Sequence, residues 1–304
     1  MYLFKKITAV QKLSYLSIII FFVVACNTGQ QKKVEATDSE SNTADSVEQK
    51  LVEQIFYNVP SPIEMAQMTK NAGMQFNPEL MNPTENKQYY LDQTSQALNL
   101  GVYGADLSYA RIFDQVQQSV NYLAVIKELT EALQIPQDEN TFAFDKLEKH
   151  LQNRDTLLNI ITEIYGDMDI YLKENNRSIV AAMIITGGWI EGNYLALNSM
   201  NQEKPNNEVL RRVAEQKLSL ESLIQLVKPH IRKEHKSEEV MTELQELYTL
   251  YQDVTVETEN TDIETDQSKG KTTIKGKTTV EMDQETLKSI HSFTTELRNK
   301  ITSP

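Results

Sequence analysis

Two acid–tyrosine pairs carry the most chemical potential in the chain. Asp106 lies three residues before Tyr109, and Glu191 three residues before Tyr194, so each pair occupies one face if its segment is helical. Both acids sit among apolar neighbours, one in ALNLGVYGADLSYA and the other in TGGWIEGNYLAL. A carboxylate removed from water is costly unless it is paired, hydrogen-bonded or protonated. Arg111, Arg177, Tyr103 and Trp189 carry the donors that could satisfy them. In one reading the acids are structural and fix a single helix pairing. In the other, Asp106 and Glu191 are the polar groups of a ligand pocket walled by Trp189, Tyr103, Tyr109 and Tyr194. Such a pocket suits a cation or a sugar and could in principle support acid–base catalysis.

The same two segments carry small residues at steps of four: Ala97, Gly101 and Ala105 in the first, Gly188, Gly192 and Ala196 in the second. That step makes a smooth stripe along which two helix backbones can approach closely. Each glycine inside a helix costs about 1 kcal/mol relative to alanine, and close packing is the simplest compensation. The stripes predict that the two helices cross near Gly101 and Gly192.

Other motifs fail on spacing. Gly270-Lys271-Thr272 and Gly276-Lys277-Thr278 superficially suggest a phosphate-binding loop, but five residues separate the glycines where four are required, and neither lysine opens a helix after a buried strand. His230 and His235 are five apart and fall on different helix faces. There is no Gly-x-Ser-x-Gly elbow, and the sole cysteine is Cys26. No catalytic residue, metal or cofactor is expected. A single cysteine also excludes an intrachain disulfide.

The elements that must position the acids read as helices throughout. Ser61-Pro62-Ile63-Glu64 and Asn82-Pro83-Thr84-Glu85 each combine a capping residue, a first-turn proline and a glutamate three residues on. The first helix should end at Gly73, and the pattern from Glu85 onward is helical. Tyr109, Ile112, Phe113, Val116, Val120, Leu123 and Ile126 form one stripe of a long helix ending before Pro136. Further helices are predicted near 141–151, 154–174, 177–200, 207–228 and 238–254, and a terminal one over 283–301 packing through Leu287, Ile290, Phe293 and Leu297. Between them, over 255–282, an acidic and a basic threonine-rich run suggest a hairpin or a disordered insertion. The fold class is an all-α multi-helix bundle over 50–304. Methionines such as Met65, Met68 and Met183 fit as core filling.

The N-terminus has a different character. Lys5, Lys6 and Lys12 precede the apolar run LSIIIFFVVA, and Ala25 precedes Cys26. The apolar run is about half the ~20 residues needed to span a bilayer, which favours a cleaved signal over a membrane helix. Val23-Val24-Ala25-Cys26 resembles the lipobox of bacterial lipoproteins, implying removal of 1–25 and lipidation of Cys26. Losing three lysines and no acid moves the formal net charge from -13 to -16. That acidity repels phosphate backbones and argues against nucleic acid as a partner. Residues 26–49 are polar and form a tether, within which Asp45-Ser46-Val47 resembles an O-glycosylation sequon of Bacteroidota exported proteins. Together with NVPSPIEMAQM, LNLGVYGADLSYA and GGWIEGNYLAL, these features resemble a group of helical lipoproteins of Bacteroidota. The resemblance implies export and a helical fold. Asn27-Thr28-Gly29-Gln30-Gln31 lacks the acids associated with surface display in that phylum, which favours a periplasm-facing anchor. The function expected is an interaction or accessory module of the cell envelope that holds a partner protein; a small-ligand or cation receptor is the alternative, and a carbohydrate enzyme a third.

Overall fold

The computed structural model describes residues 62–136, 144–150, 152–201, 203, 205–231, 235–266 and 271–303. The expected signal peptide, Cys26, the tether and the capping residue Ser61 lie outside these residues.

The first helix, α1 (Pro62–Asn71), begins at a proline, whose missing N–H would be unpaired there in any case. It ends where Met74 N donates to Thr69 O and Gly73, at φ 79°, donates to Lys70 O. This paired closure, a Schellman motif, recurs at three further helix ends, centred on Asp114, Gln134 and Asn176, all at positive φ. After two short 3-10 turns (Pro78–Leu80 and Thr84–Tyr89), α2 (Gln93–Ile112) starts at Asp92, whose carboxylate accepts from Ser95 N at 2.8 Å. Next come α3 (Val116–Ala132), α4 (Phe144–Lys149), α5 (Arg154–Glu174), α6 (Ser178–Ser199), α7 (Asn207–Val227) and α8 (His235–Leu250). The antiparallel strands β1 (Thr255–Asp266) and β2 (Lys271–Glu281) precede the terminal helix α9 (Gln284–Thr302).

Two expectations are corrected. The stripe from Tyr109 to Ile126 is not one helix, because the Schellman turn at Asp114 separates α2 from α3. Aspartate tolerates the left-handed conformation, and Lys70 Nζ, bonded to both Ile112 O and Asp114 Oδ2, holds the turn. Nor does Asn82 cap an α-helix: Thr84–Tyr89 is a 3-10 turn without a side-chain cap, and Asn82 is buried in the interior. Elsewhere the bundle has the predicted elements within a few residues. The 255–282 segment is a hairpin whose register sets Glu259 opposite Lys277 and Asp266 opposite Lys271, with an irregularity between Asn260 and Asp262.

The core is organised around α2 and α6. Almost every residue of α2 from Thr94 onward is buried, and α6 is buried nearly all round. Among the described residues, α6 is the one helix apolar and long enough to cross a membrane, but 89% of its apolar window is enclosed by the protein, so its composition is that of a central core helix. The two helices meet backbone to backbone. A Cβ at Gly101 would lie 2.0 Å from Ile184 O and 2.6 Å from Gly188 N; one at Gly187 would lie 1.8 Å from Leu98 O. The closest approach therefore falls at Gly101 against Gly187 and Gly188, one turn before Gly192, with Ala105 and Gly192 buried further along.

Candidate functional site

The crossing brings Asp106 and Glu191 together, each with no exposed surface. Their charge partner is Arg298, on α9. Its Nε donates to Glu191 Oε2 at 2.9 Å and its Nη2 to Glu191 Oε1 at 3.2 Å and to Leu80 O at 3.1 Å. The guanidinium also lies 4.5 Å over the Tyr194 ring. Neither Arg111 nor Arg177 reaches the acids; Arg177 donates to Leu133 O and Gln134 O.

One arginine cannot neutralise two carboxylates, and the remaining charge is removed by a proton. Asp106 Oδ2 accepts from Asn82 N at 3.0 Å, whereas its Oδ1 meets no donor among the described residues. A proton on Oδ1 turns that atom into a donor, for which the neighbouring Glu191 carboxyl is the acceptor at hand. Burial, reinforced by the charge of Glu191, pushes the Asp106 carboxyl well above the usual range. Burial also raises Glu191, but Arg298 opposes it. Burial would lower Arg298, yet Glu191 beside it raises it overall. The consistent assignment is neutral Asp106 donating to ionised Glu191, which pairs with Arg298. The cluster then carries no net charge.

A ring of tyrosines and asparagines ties this cluster to the 80–90 loop and to the end of α9. Tyr122 donates to Asn82 O at 2.7 Å and Tyr103 to Pro83 O at 2.8 Å. Asn82 Nδ2 donates to the Tyr90 hydroxyl, which donates in turn to Thr302 O at 3.0 Å. Asn99 Nδ2 donates to Ile301 O at 2.8 Å and Asn86 Nδ2 to Thr302 O at 3.2 Å. Terminal carbonyls of α9, which have no intrahelical donor, are thereby satisfied. Burial raises Tyr90, Tyr103, Tyr122 and Tyr194, so all four stay protonated, and the first three act as donors.

The six proposed pocket residues thus do not converge on one cavity. Tyr103 and Tyr194 flank the acids. Tyr109 instead stacks on Phe76 with centroids 5.3 Å apart and accepts from Asn77 N, and Trp189 donates to Gln216 Oε1 at 2.9 Å on α7. A cleft of about 400 Å³ lies elsewhere, between α1 and the start of α7, lined by residues including Met65, Met68, Ala72, Asn206 and Arg212. Among the described residues, no three histidine, cysteine or acidic side chains are placed to hold a metal.

Sequence reasoning missed Arg298, Asn82, Asn99, Tyr90 and Tyr122. Arg298 was detectable. It falls on the same face as Leu287, Ile290, Thr294, Leu297 and Ile301, a cation on an otherwise core-facing stripe. The asparagines act through backbone amides and carbonyls of an irregular loop, which no spacing rule anticipates.

Comparison with known protein families, curated proteins and solved structures finds no match to the chain.

Protonated Asp106 has a consequence for pH. Between the ordinary aspartate value of 3.8 and its higher folded value, the native state holds a proton that the unfolded chain has released. Stability from this group is therefore complete below that window and falls as pH rises through it, by about 1.4 kcal/mol per pH unit. Asp106→Asn has no proton to lose. Urea unfolding from pH 4 to 8 should show the wild type losing stability relative to Asp106→Asn as pH rises; parallel curves would contradict a shared proton.

Proposed function

We propose that the protein is a lipid-anchored helical module of the cell envelope that works by holding a partner protein rather than by turning over a substrate. The single observation carrying the non-catalytic part is the enclosure of Asp106 and Glu191: both are sealed and committed to Arg298 and to each other. A general acid or base must reach the proton it transfers. The order lysines, apolar run, alanine and Cys26, followed by a polar stretch over 27–49, supports the anchored part.

The anchor is tested by labelling cells with an alkyne-bearing fatty acid. Label should appear on the native chain and vanish from Cys26→Ala; label on both, or on neither, contradicts the anchor. The interaction role is tested by in-cell crosslinking and affinity purification of the same two chains. A discrete partner protein enriched with the native chain over Cys26→Ala is expected, and identical profiles would count against the proposal.

A further inference from the structure

Where α2 ends, positive charge gathers beyond what the local acids neutralise. Arg111, in the last turn, is only 2% exposed, and among the described residues no acceptor reaches its Nε or Nη1. Asp114, three residues on, has Lys70 Nζ 2.8 Å from Oδ2 and Arg154 Nη1 4.0 Å from Oδ1. Arg111 feels the charges of both Asp114 and Arg154. Arg154 Nε also pairs with Asp155 Oδ1 at 3.0 Å, so three cations share two carboxylates in a chain whose formal net charge is -13.

A helix C-terminus favours a cation, but the dipole does not supply acceptors to a guanidinium. The carbonyls at this end are engaged: Ala110 O by Gln115 N, Arg111 O by Asp114 N and Ile112 O by Lys70 Nζ. A guanidinium with two enclosed nitrogens unpaired is costly, and its planar fork matches an oxyanion. The two acids present are poorly enclosed, with 61% of the Asp114 side chain and 81% of the Asp155 side chain exposed.

We propose that this corner binds the phosphate group of a phosphate-bearing molecule, which displaces the Asp114 carboxylate from Lys70 and Arg154 and supplies Arg111 with its missing acceptor. The charge fits. With Asp114 displaced and Asp155 still on Arg154, two positive charges remain, which a phosphate monoester at about -1.5 to -2 near neutral pH matches and a carboxylate would leave half compensated. This goes beyond the interaction role and does not depend on it, because the site requires neither anchor nor partner.

The test is calorimetric titration of the full chain with inorganic phosphate and with glycerol phosphate, at ionic strength held constant with chloride, beside flotation with phosphatidate vesicles. Saturable binding is expected, weakened at least tenfold in Arg154→Ala, whose side chain is partly exposed, and lost in Arg111→Met. Asp114→Asn, which keeps the turn but removes the competing charge, should bind severalfold more tightly. Should Arg111→Met fail to fold, Arg154→Ala and Asp114→Asn still decide the matter. Binding of glycerol phosphate in solution makes the ligand a soluble phosphate ester; Arg154-dependent binding to vesicles alone makes it a lipid headgroup. No Arg154-dependent binding to any of the three probes would overturn the proposal.

Discussion

Arg298→Met is expected to cost about 3–5 kcal/mol of folding free energy, the range found when one partner of a buried ion pair is removed. Arg298 donates to Glu191 twice and to Leu80 O once, so the substitution strands an enclosed carboxylate and a loop carbonyl together. The variant can limit the damage only by protonating Glu191 as well as Asp106. Its deficit should therefore be smallest at low pH and grow as pH rises, which urea unfolding at pH 4.5 and 7.5 measures. A loss below about 1 kcal/mol at the higher pH would mean that Glu191 is not held as an anion by this arginine.

The second large effect is steric. Gly101→Ala adds a methyl group whose carbon would sit 2.0 Å from Ile184 O, and backbone cannot yield as a flexible side chain can. The helix-propensity gain of about 1 kcal/mol is outweighed by a clash that forces α2 and α6 apart, where overpacking alone costs about 1–3 kcal/mol. Gly166→Ala is the control, since Gly166 lies on the exposed side of α5 with nothing within 4 Å of its added carbon. Thermal melting should show Gly101→Ala strongly destabilised and Gly166→Ala unchanged or stabilised. Equal melting temperatures would contradict close backbone contact at Gly101.

These two features differ in how far they were legible in the sequence. The stripe of small residues announced a close crossing, because a run of helix-interior glycines has few other compensations; the register was misplaced by one turn, because Gly187 and Gly188 offered alternatives that spacing alone does not rank. Helix ends marked by glycine, proline or paired asparagines were found, as at Gly73 and Asn176. The end at Asp114 was missed, since a Schellman turn built on aspartate interrupts an unbroken apolar stripe and is supported from α1 by Lys70. For the acids, the need for a donor was evident from their apolar setting, but its identity depended on where a helix 107 residues further along the chain returns. Local patterns specify which groups must be satisfied; tertiary closure specifies by whom.

The enclosure of Asp106 and Glu191 underlies both the non-catalytic reading and the shared-proton assignment. Asn at 106 can keep both contacts, accepting from Asn82 N through its oxygen and donating to Glu191 through its nitrogen. Gln at 191 cannot balance the charge of Arg298. The decisive measurement is the urea unfolding free energy of Asp106→Asn and Glu191→Gln side by side at pH 7. The account predicts that Asp106→Asn stays within about 1 kcal/mol of the wild type or exceeds it, while Glu191→Gln loses about 3–5 kcal/mol. Equal losses in the two variants, or an unaffected Glu191→Gln, would contradict it.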